Sequence, residues 1–311
     1  MNALLYGIIY AGVLVFLAAS AARAIHYARL PAHLRWELYP VPHEAANRAE
    51  HGGSYFETLD WWTRPNEYNL RGELRVMIPE MLFLKALREF NRSLWYRSFL
   101  FHFGLYLLAG TVFLLLAAAL GTMMAPVLMA ASAGRAMHIL YTATGACGAT
   151  MTILGAAGLL HRRLTDPNLK NYTVPGDLFN LAFFIAALGL LGVGYLWRVP
   201  GTPGVLALTR GLLTFDTTLQ VPAVLAAGLV LLALLAGYIP LTHMSHFIAK
   251  YFTYHSIRWD DLPAARSAEI QRRFAAYLTY RPTWAARHMG ADGTKTWAEI
   301  AATNPTAGAA K

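Results

Sequence analysis

Histidines near the ends of long apolar segments are the residues of this sequence best suited to chemistry. His102 lies about five residues beyond Arg97, and His246 lies about four residues before Lys250. In helices both imidazoles would lie roughly 7 Å inside an apolar segment. Two neutral imidazoles at matched depth on facing helices are what a low-spin b haem requires. The spacing therefore predicts His102 and His246 as the axial ligands of one haem b iron. The alternative is that such histidines only reach the lipid headgroups, which is the role we assign to His161.

The other histidines admit more than one role. His243 and His246 are three positions apart, about 60° around a helix, so we do not expect both on one iron. One should then be the ligand and the other, His243, a contact to the surroundings of the haem or to a substrate. His138 stands alone at the opposite end.

Two arginines and several small residues surround the expected haem position. Arg162 and Arg163 fall at its depth, where guanidinium groups can pair with haem propionates. The alternative is that they only mark the cytoplasmic side of the membrane. The third apolar segment contains two runs rich in glycine and alanine, 145–148 and 155–158. Such residues either let membrane helices approach closely or leave room for a flat macrocycle, and both interpretations stay open at this point.

Five apolar segments must position these residues. The chain has 311 residues, of which 56% are hydrophobic and 14% charged, whereas a soluble domain carries roughly 25% charged residues. The sequence therefore predicts an integral membrane protein in contact with lipid. The single cysteine, Cys147, excludes a disulfide framework and an iron–sulfur cluster of its own. Each segment reaches the roughly 20 residues that a spanning helix needs, and they cover 3–22, 98–120, 139–160, 178–197 and 221–247.

The distribution of Lys and Arg predicts the orientation. Of the 26 such residues, 23 lie in 23–97, 161–177 and 248–311, and only three lie in the two other loops. By the positive-inside rule the N-terminus is outside and the C-terminus inside. The first segment is expected to be uncleaved, because its positive charges follow it, whereas those of a signal peptide precede it. The formal charge of +9 is then a topology signal, and we predict no nucleic-acid partner.

The predicted fold is an all-α integral membrane protein, a bundle of five transmembrane helices with a cytoplasmic insertion and a C-terminal tail. Inside the insertion, 79–90 is amphipathic at helical spacing and is expected to lie in the membrane interface. The tail shows a helix-like stretch around 264–280 and then no periodicity, which is typical of a docking arm. The predicted divisions are a first transmembrane helix (1–22), a cytoplasmic segment (23–97), a four-helix haem-binding core (98–247) and the tail (248–311).

Three parts of the sequence resemble the cytochrome b (gamma) subunit of respiratory nitrate reductase, and the resemblance covers roughly 97–250. Residues 100–104, Leu-Phe-His-Phe-Gly, resemble the family's Leu-Phe-His-Ile-Gly. The block 159–178 is similar to the family's paired arginines followed by Gly-Ala-Asp. Pro240, six residues before His246, resembles the end of the family's fifth helix. The resemblance implies that His102 and His246 hold the haem nearer the cytoplasm.

The sequence also departs from nitrate reductase. The positions that match the family's second pair of haem ligands are Val112 and Gly228, which cannot ligate iron. The chain is therefore expected to carry one haem, or to build a second with His138 and a different sixth position. The inserted block 31–96 favours the membrane subunits of heterodisulfide-reductase-like and dissimilatory-sulfite-reduction complexes as the nearer relatives.

The resemblance implies a function and a set of partners. It implies a b-type cytochrome subunit of a respiratory complex in a prokaryotic inner membrane. Such a subunit transfers electrons between the quinone or menaquinone pool and a cytoplasmic iron–sulfur subunit of the heterodisulfide-reductase-like kind. The candidates for the quinone contact are then His243, His138, His26 and Arg29, although no specific pattern marks that site. Nothing in the chain resembles a substrate-reducing site, so it is not expected to be a complete enzyme alone. The alternative is a haem-free membrane anchor of a multi-protein complex.

Overall fold

The computed structural model describes residues 2–29, 70–249, 268–283 and 290–303, and every regular element in these ranges is a helix. The predicted all-α class is confirmed for this part of the chain. Most of the inserted block, the start of the tail helix and Lys250 lie outside the described residues. The α-helices are α1 (Asn2–Arg29), α2 (Leu70–Phe83), α3 (Lys85–Phe90), α4 (Arg92–Met124), α5 (Pro126–Ala130), α6 (Ser132–Thr165), α7 (Pro167–Lys170), α8 (Pro175–Leu196), α9 (Val205–Thr214), α10 (Ala223–Tyr238), α11 (Ala268–Leu278) and α12 (Trp297–Ala302).

Five of these helices are long and apolar enough to cross a membrane, as the sequence predicted. They are α1, α4, α6, α8 and the segment Ala223–Leu241, which consists of α10 and a following 3₁₀ turn. The number and order of membrane-length segments are therefore confirmed. Their orientation, with the N-terminus outside and the C-terminus inside, stays a prediction.

The fifth segment is shorter as an α-helix than expected. We predicted one apolar helix over 221–247, but α10 ends at Tyr238 and gives way to two 3₁₀ turns, Ile239–Leu241 and His243–Ser245. Pro240 accounts for the change, because proline has no N–H to donate and its ring crowds the carbonyl one turn earlier in a helix. The assumption that one helix carries both His243 and His246 was therefore wrong.

The amphipathic stretch 79–90 is also divided. It is helical on both sides of Leu84, whose φ of 52° and ψ of 51° place it in the left-handed region. A side chain with a Cβ is strained in that region, so the chain turns there and α3 begins in a new direction.

The chain divides into two compact units, one formed by Met1–Ser20 and Met77–Ser245 and the other by Ala21–Val76 and His246–Lys311. In the first unit, α4, α6, α8 and α10 pack in sequence order as antiparallel neighbours. The first part of α1 runs parallel to α10, since Gly12 lies against Ala233 and Gly237 against Val15. These relative directions agree with five alternating crossings.

Glycines set the closest helix contacts in the first unit. A Cβ on Gly148 of α6 would lie 3.0 Å from the backbone oxygen of Gly104 in α4, and one on Gly155 would lie 2.6 Å from Phe101 Cα. Close approach of helices at small residues is the usual packing device in membranes. The structure thus favours helix packing over room for a macrocycle as the role of the runs 145–148 and 155–158.

The described part of the second unit contains a small helical motif that the sequence analysis missed. The ring of Tyr277 in α11 stacks on that of Trp297 in α12, with centroids 6.4 Å apart. Thr296 and Glu299 cap α12 reciprocally, because the hydroxyl of Thr296 accepts from the Glu299 N–H and the Glu299 carboxylate accepts from the Thr296 N–H. Hydrogen bonds from the backbone and side chain of Thr296 lower the pKa of Glu299 below its usual value.

Candidate functional site

His102 lies in the third turn of α4, half-buried, and its ring is held by the helix itself. Its Nδ1 is 2.7 Å from the backbone oxygen of Ser98 and 3.3 Å from the Ser98 hydroxyl. The short contact to a carbonyl assigns the proton to Nδ1, since a carbonyl can only accept, and therefore the lone pair to Nε2. Metal-ligating histidines are oriented by the same kind of bond. The ring of His102 is thus in the tautomer that a haem iron needs.

The residue before His102 fixes the position of this part of α4. The ring of Phe101 meets that of Phe184 in α8 edge-on, with centroids 5.0 Å apart. The backbone of Phe101 touches Gly155 of α6. Phe101 therefore packs against two neighbouring helices, α6 and α8. These contacts fix the backbone that carries the side chain of His102.

A polar cluster lies at the same end of the first unit, where α6 and α10 end and α8 begins. Asn180 in the first turns of α8 is only 5% exposed. Its carbonyl oxygen accepts from the Tyr238 hydroxyl at 2.9 Å, and its amide nitrogen lies 3.3 Å from Nε2 of His243. The same Nε2 is 3.8 Å from Oδ1 of Asp177. Asn180 thus links a tyrosine at the end of α10 to a histidine whose side chain is 66% exposed.

The sequence analysis named His243 but missed Asp177, Asn180 and Tyr238. A signal was present, because an amide in an apolar span needs a partner.

Arg162 and Arg163 both form ion pairs within the chain. Nε of Arg162 is 3.3 Å from Asp166, one turn further along, and Nη1 of Arg163 is 3.0 Å from Asp177. These carboxylates partly neutralise the two guanidinium groups. Nη1 of Arg162 is nevertheless buried and lacks a hydrogen-bond partner among the described residues. A buried orphan donor fits an anionic group such as a propionate, so this part of the prediction is retained for Arg162.

His246, His26 and Arg29 belong to the second unit, whereas His102 belongs to the first. His246 follows directly after the second 3₁₀ turn and is exposed. His26 and Arg29 are exposed in the last turn of α1. The pairing of His246 with His102 on one iron stays a prediction, and so does a quinone contact at His26 or Arg29.

At the opposite end of the first unit, His138 lines a pocket of about 300 Å³. Tyr141, Tyr195, Arg198 and Thr202 also line it, and the Arg198 guanidinium lies 4.3 Å from the centre of the Tyr195 ring. No second histidine is among the residues that line this pocket in the described part of the chain. A second haem or a quinone contact at His138 stays a prediction.

The resemblance aligns Val112 and Gly228 with the second pair of haem ligands in nitrate reductase, and these two residues differ in their surroundings. Val112 is 56% exposed on the surface of α4. Gly228 of α10 is pressed against α8, where a Cβ would lie 2.6 Å from Leu191 Cα. A histidine at 228 would therefore force α8 and α10 apart, so the glycine is part of the helix packing.

No family model, curated protein or solved structure matches this chain.

Proposed function

We propose that this chain is a membrane cytochrome b subunit that passes electrons between quinone and a cytoplasmic iron–sulfur partner. The observation that carries the proposal is the orientation of His102, whose Nδ1 is bonded to the Ser98 carbonyl in a bundle of membrane-length helices. Histidines that ligate a metal through one ring nitrogen are usually oriented by such a bond at the other. When bound, haem b supplies a one-electron relay between a two-electron carrier and one-electron clusters.

Other residues of the chain take supporting roles in this proposal. His246 is the second axial ligand expected from the sequence, and the buried Nη1 of Arg162 is the donor suited to a propionate. His243 is the preferred quinone contact. It is exposed, and through Asn180 it is joined to the hydroxyl of Tyr238. The amide thus holds the imidazole in one orientation at the surface, from which the ring can hydrogen-bond a quinone oxygen.

A haem-free membrane anchor is the second candidate. The ion pairs of Arg162 and Arg163 and the close α4–α6 contacts favour it, because both give these residues a structural purpose without a cofactor.

The dithionite-reduced-minus-oxidised spectrum of the purified chain separates the two candidates. We expect a b-type α band at about one haem per chain, which is lost in His102→Ala and in His246→Ala because each removes one axial ligand. His161→Ala is the matched control. His161 is exposed near the end of α6, at the same end of the bundle as His102, and its replacement should leave the band unchanged. A purified chain without a Soret band after expression with excess haem would leave the anchor as the function.

A further inference from the structure

The break between α2 and α3 produces a bent segment that has no role in the proposed electron transfer. Residues 77–92, which we call the elbow, run to the end of α2, turn at Leu84 and return through α3 to the start of α4. A leucine in the left-handed region persists only where its surroundings hold it there. The conformation of the elbow must therefore be held by contacts with the residues around it.

Side chains satisfy the backbone groups that the break exposes. The Tyr106 hydroxyl donates to the oxygen of Met81 at 2.8 Å, and the indole N–H of Trp95 donates to the oxygen of Phe83 at 2.7 Å. Beyond the turn, the N–H of Ala86 donates to the Glu80 carboxylate at 2.9 Å. Inside a bilayer a broken helix is tolerated only where its polar groups are satisfied by the protein. The elbow meets that requirement.

The contact with Tyr106 also gives the depth of the elbow. Tyr106 lies nine residues beyond Arg97, the last charged residue before the apolar part of α4, which is roughly 13 Å along the helix. A helical side chain leans toward the start of its helix, so the Tyr106 hydroxyl and Met81 lie nearer the start of α4 than the Tyr106 backbone does. Phe83 is bonded to Trp95, which precedes Arg97. The elbow therefore extends from the charged start of α4 into its apolar part.

The elbow has exposed apolar side chains next to a basic groove. The apolar side chains at the end of α2 are exposed by 43% at Met81 and Leu82 and 48% at Phe83. Phe83 also borders a groove of about 340 Å³, which is lined by Pro79, Phe83, Lys85, Arg88, Glu89 and Arg92. The groove carries three cations and one carboxylate, and that carboxylate is 3.7 Å from Lys85.

We propose that the elbow is inserted into one leaflet and that its cationic groove binds the phosphate headgroup of an anionic phospholipid. A phospholipid offers an anion and acyl chains side by side, which matches a basic groove next to exposed apolar side chains. An acidic soluble polypeptide would match the charge of the groove but would leave Leu82 and Phe83 in water. This inference does not depend on haem binding.

Binding of a fluorescent phosphatidylglycerol to the detergent-solubilised full-length chain tests the groove. Arg88→Gln with Arg92→Gln should weaken this binding roughly tenfold or more, because it removes two of the three cations that line the groove. Phosphatidylcholine should bind weakly and equally to both proteins. The matched control is Arg198→Gln with Arg210→Gln, which removes two exposed arginines at the other end of the first unit and should leave phosphatidylglycerol binding unchanged. Equal losses of phosphatidylglycerol binding in both double variants would overturn the proposal. Polyglutamate serves as the acidic soluble polypeptide, and a groove variant that bound polyglutamate more weakly but phosphatidylglycerol as before would also overturn it.

A second measurement tests insertion without depending on affinity. In a Cys147→Ala background, Leu82→Cys and Tyr172→Cys are labelled with an environment-sensitive fluorophore in vesicles. Tyr172 is 81% exposed and serves as the reference for an aqueous position. The label at 82 should be blue-shifted and quenched by lipids that carry a nitroxide on the acyl chain. Emission at 82 that matches the reference and resists quenching would overturn insertion.

Discussion

At the scale of single residues, one buried amide connects two helices at the end of the bundle that carries the site. Asn180 is 5% exposed, and both ends of its amide group have partners on the far side of the α8–α10 contact, Tyr238 and His243. Hydrogen bonds between membrane helices contribute only about 0.6 kcal/mol on average and at most about 1.7 kcal/mol. The importance of the amide therefore depends on what its removal leaves unsatisfied.

Asn180→Leu should lower the free energy of unfolding by about 1–3 kcal/mol, because the half-buried Tyr238 hydroxyl then loses its acceptor. Tyr238→Phe alone should cost less, and in the Asn180→Leu background it should cost almost nothing. Reversible denaturation in mixed micelles, followed by tryptophan fluorescence, measures all four proteins of this cycle. Tyr172→Phe is the control for loss of an exposed hydroxyl. Strictly additive effects of the two changes would contradict a direct bond between Asn180 and Tyr238.

At the scale of helices, the contact between α4 and α6 depends on glycine where the two backbones meet. Gly155→Ala should lower the free energy of unfolding by about 1–3 kcal/mol, as overpacking does, because the new Cβ would lie 2.6 Å from Phe101 Cα. Gly110→Ala on α4 is the matched control, since no atom lies within 4 Å of a Cβ built there. The same denaturation measurement compares the two. Equal stability of both variants would show that α4 and α6 do not approach at Gly155.

The helices also show what the sequence could and could not reveal. The five long segments were predictable, because about 20 apolar residues leave few alternatives to a spanning helix. The end of α10 at Tyr238 was predictable in principle from Pro240, and the cap of α12 from Thr296 and Glu299 at capping-box spacing. The break at Leu84 was not, since no glycine or proline stands at the turn and the conformation depends on Trp95 and Tyr106, which come later in the chain.

The candidate site also contains some residues that the sequence could reveal and others that it could not. Spacing singled out His102, and the bond from its ring to Ser98 follows from a position four residues earlier on the same helix. The partners of Arg163 and His243 could not be read from spacing, because Asp177 and Asn180 reach them only after α8 has folded back against α6 and α10.

At the scale of the whole molecule, the residues suited to electron and proton exchange are unevenly distributed along the bundle of the first unit. His102, Arg162 and the cluster around Asn180 lie at one end. Toward the other end, Gly194 and Gly228 bring α8 and α10 into direct contact. In the predicted orientation this end faces the cytoplasm. A relay confined to this end would exchange protons with the side of the proposed iron–sulfur partner.

Turnover should therefore move little charge across the membrane. In proteoliposomes that contain the chain with its co-purified partner, a potential-sensitive dye should show the same small signal during menaquinol oxidation with and without valinomycin and potassium. The physical reason is that electrons and protons enter and leave on one side, so no charge crosses the roughly 30 Å hydrocarbon layer. An imposed potassium diffusion potential in the same vesicles provides the control for the response of the dye. Strong charging that valinomycin abolishes would require a relay or a proton path to the other end, and the pocket beside His138 would be the first place to look for it.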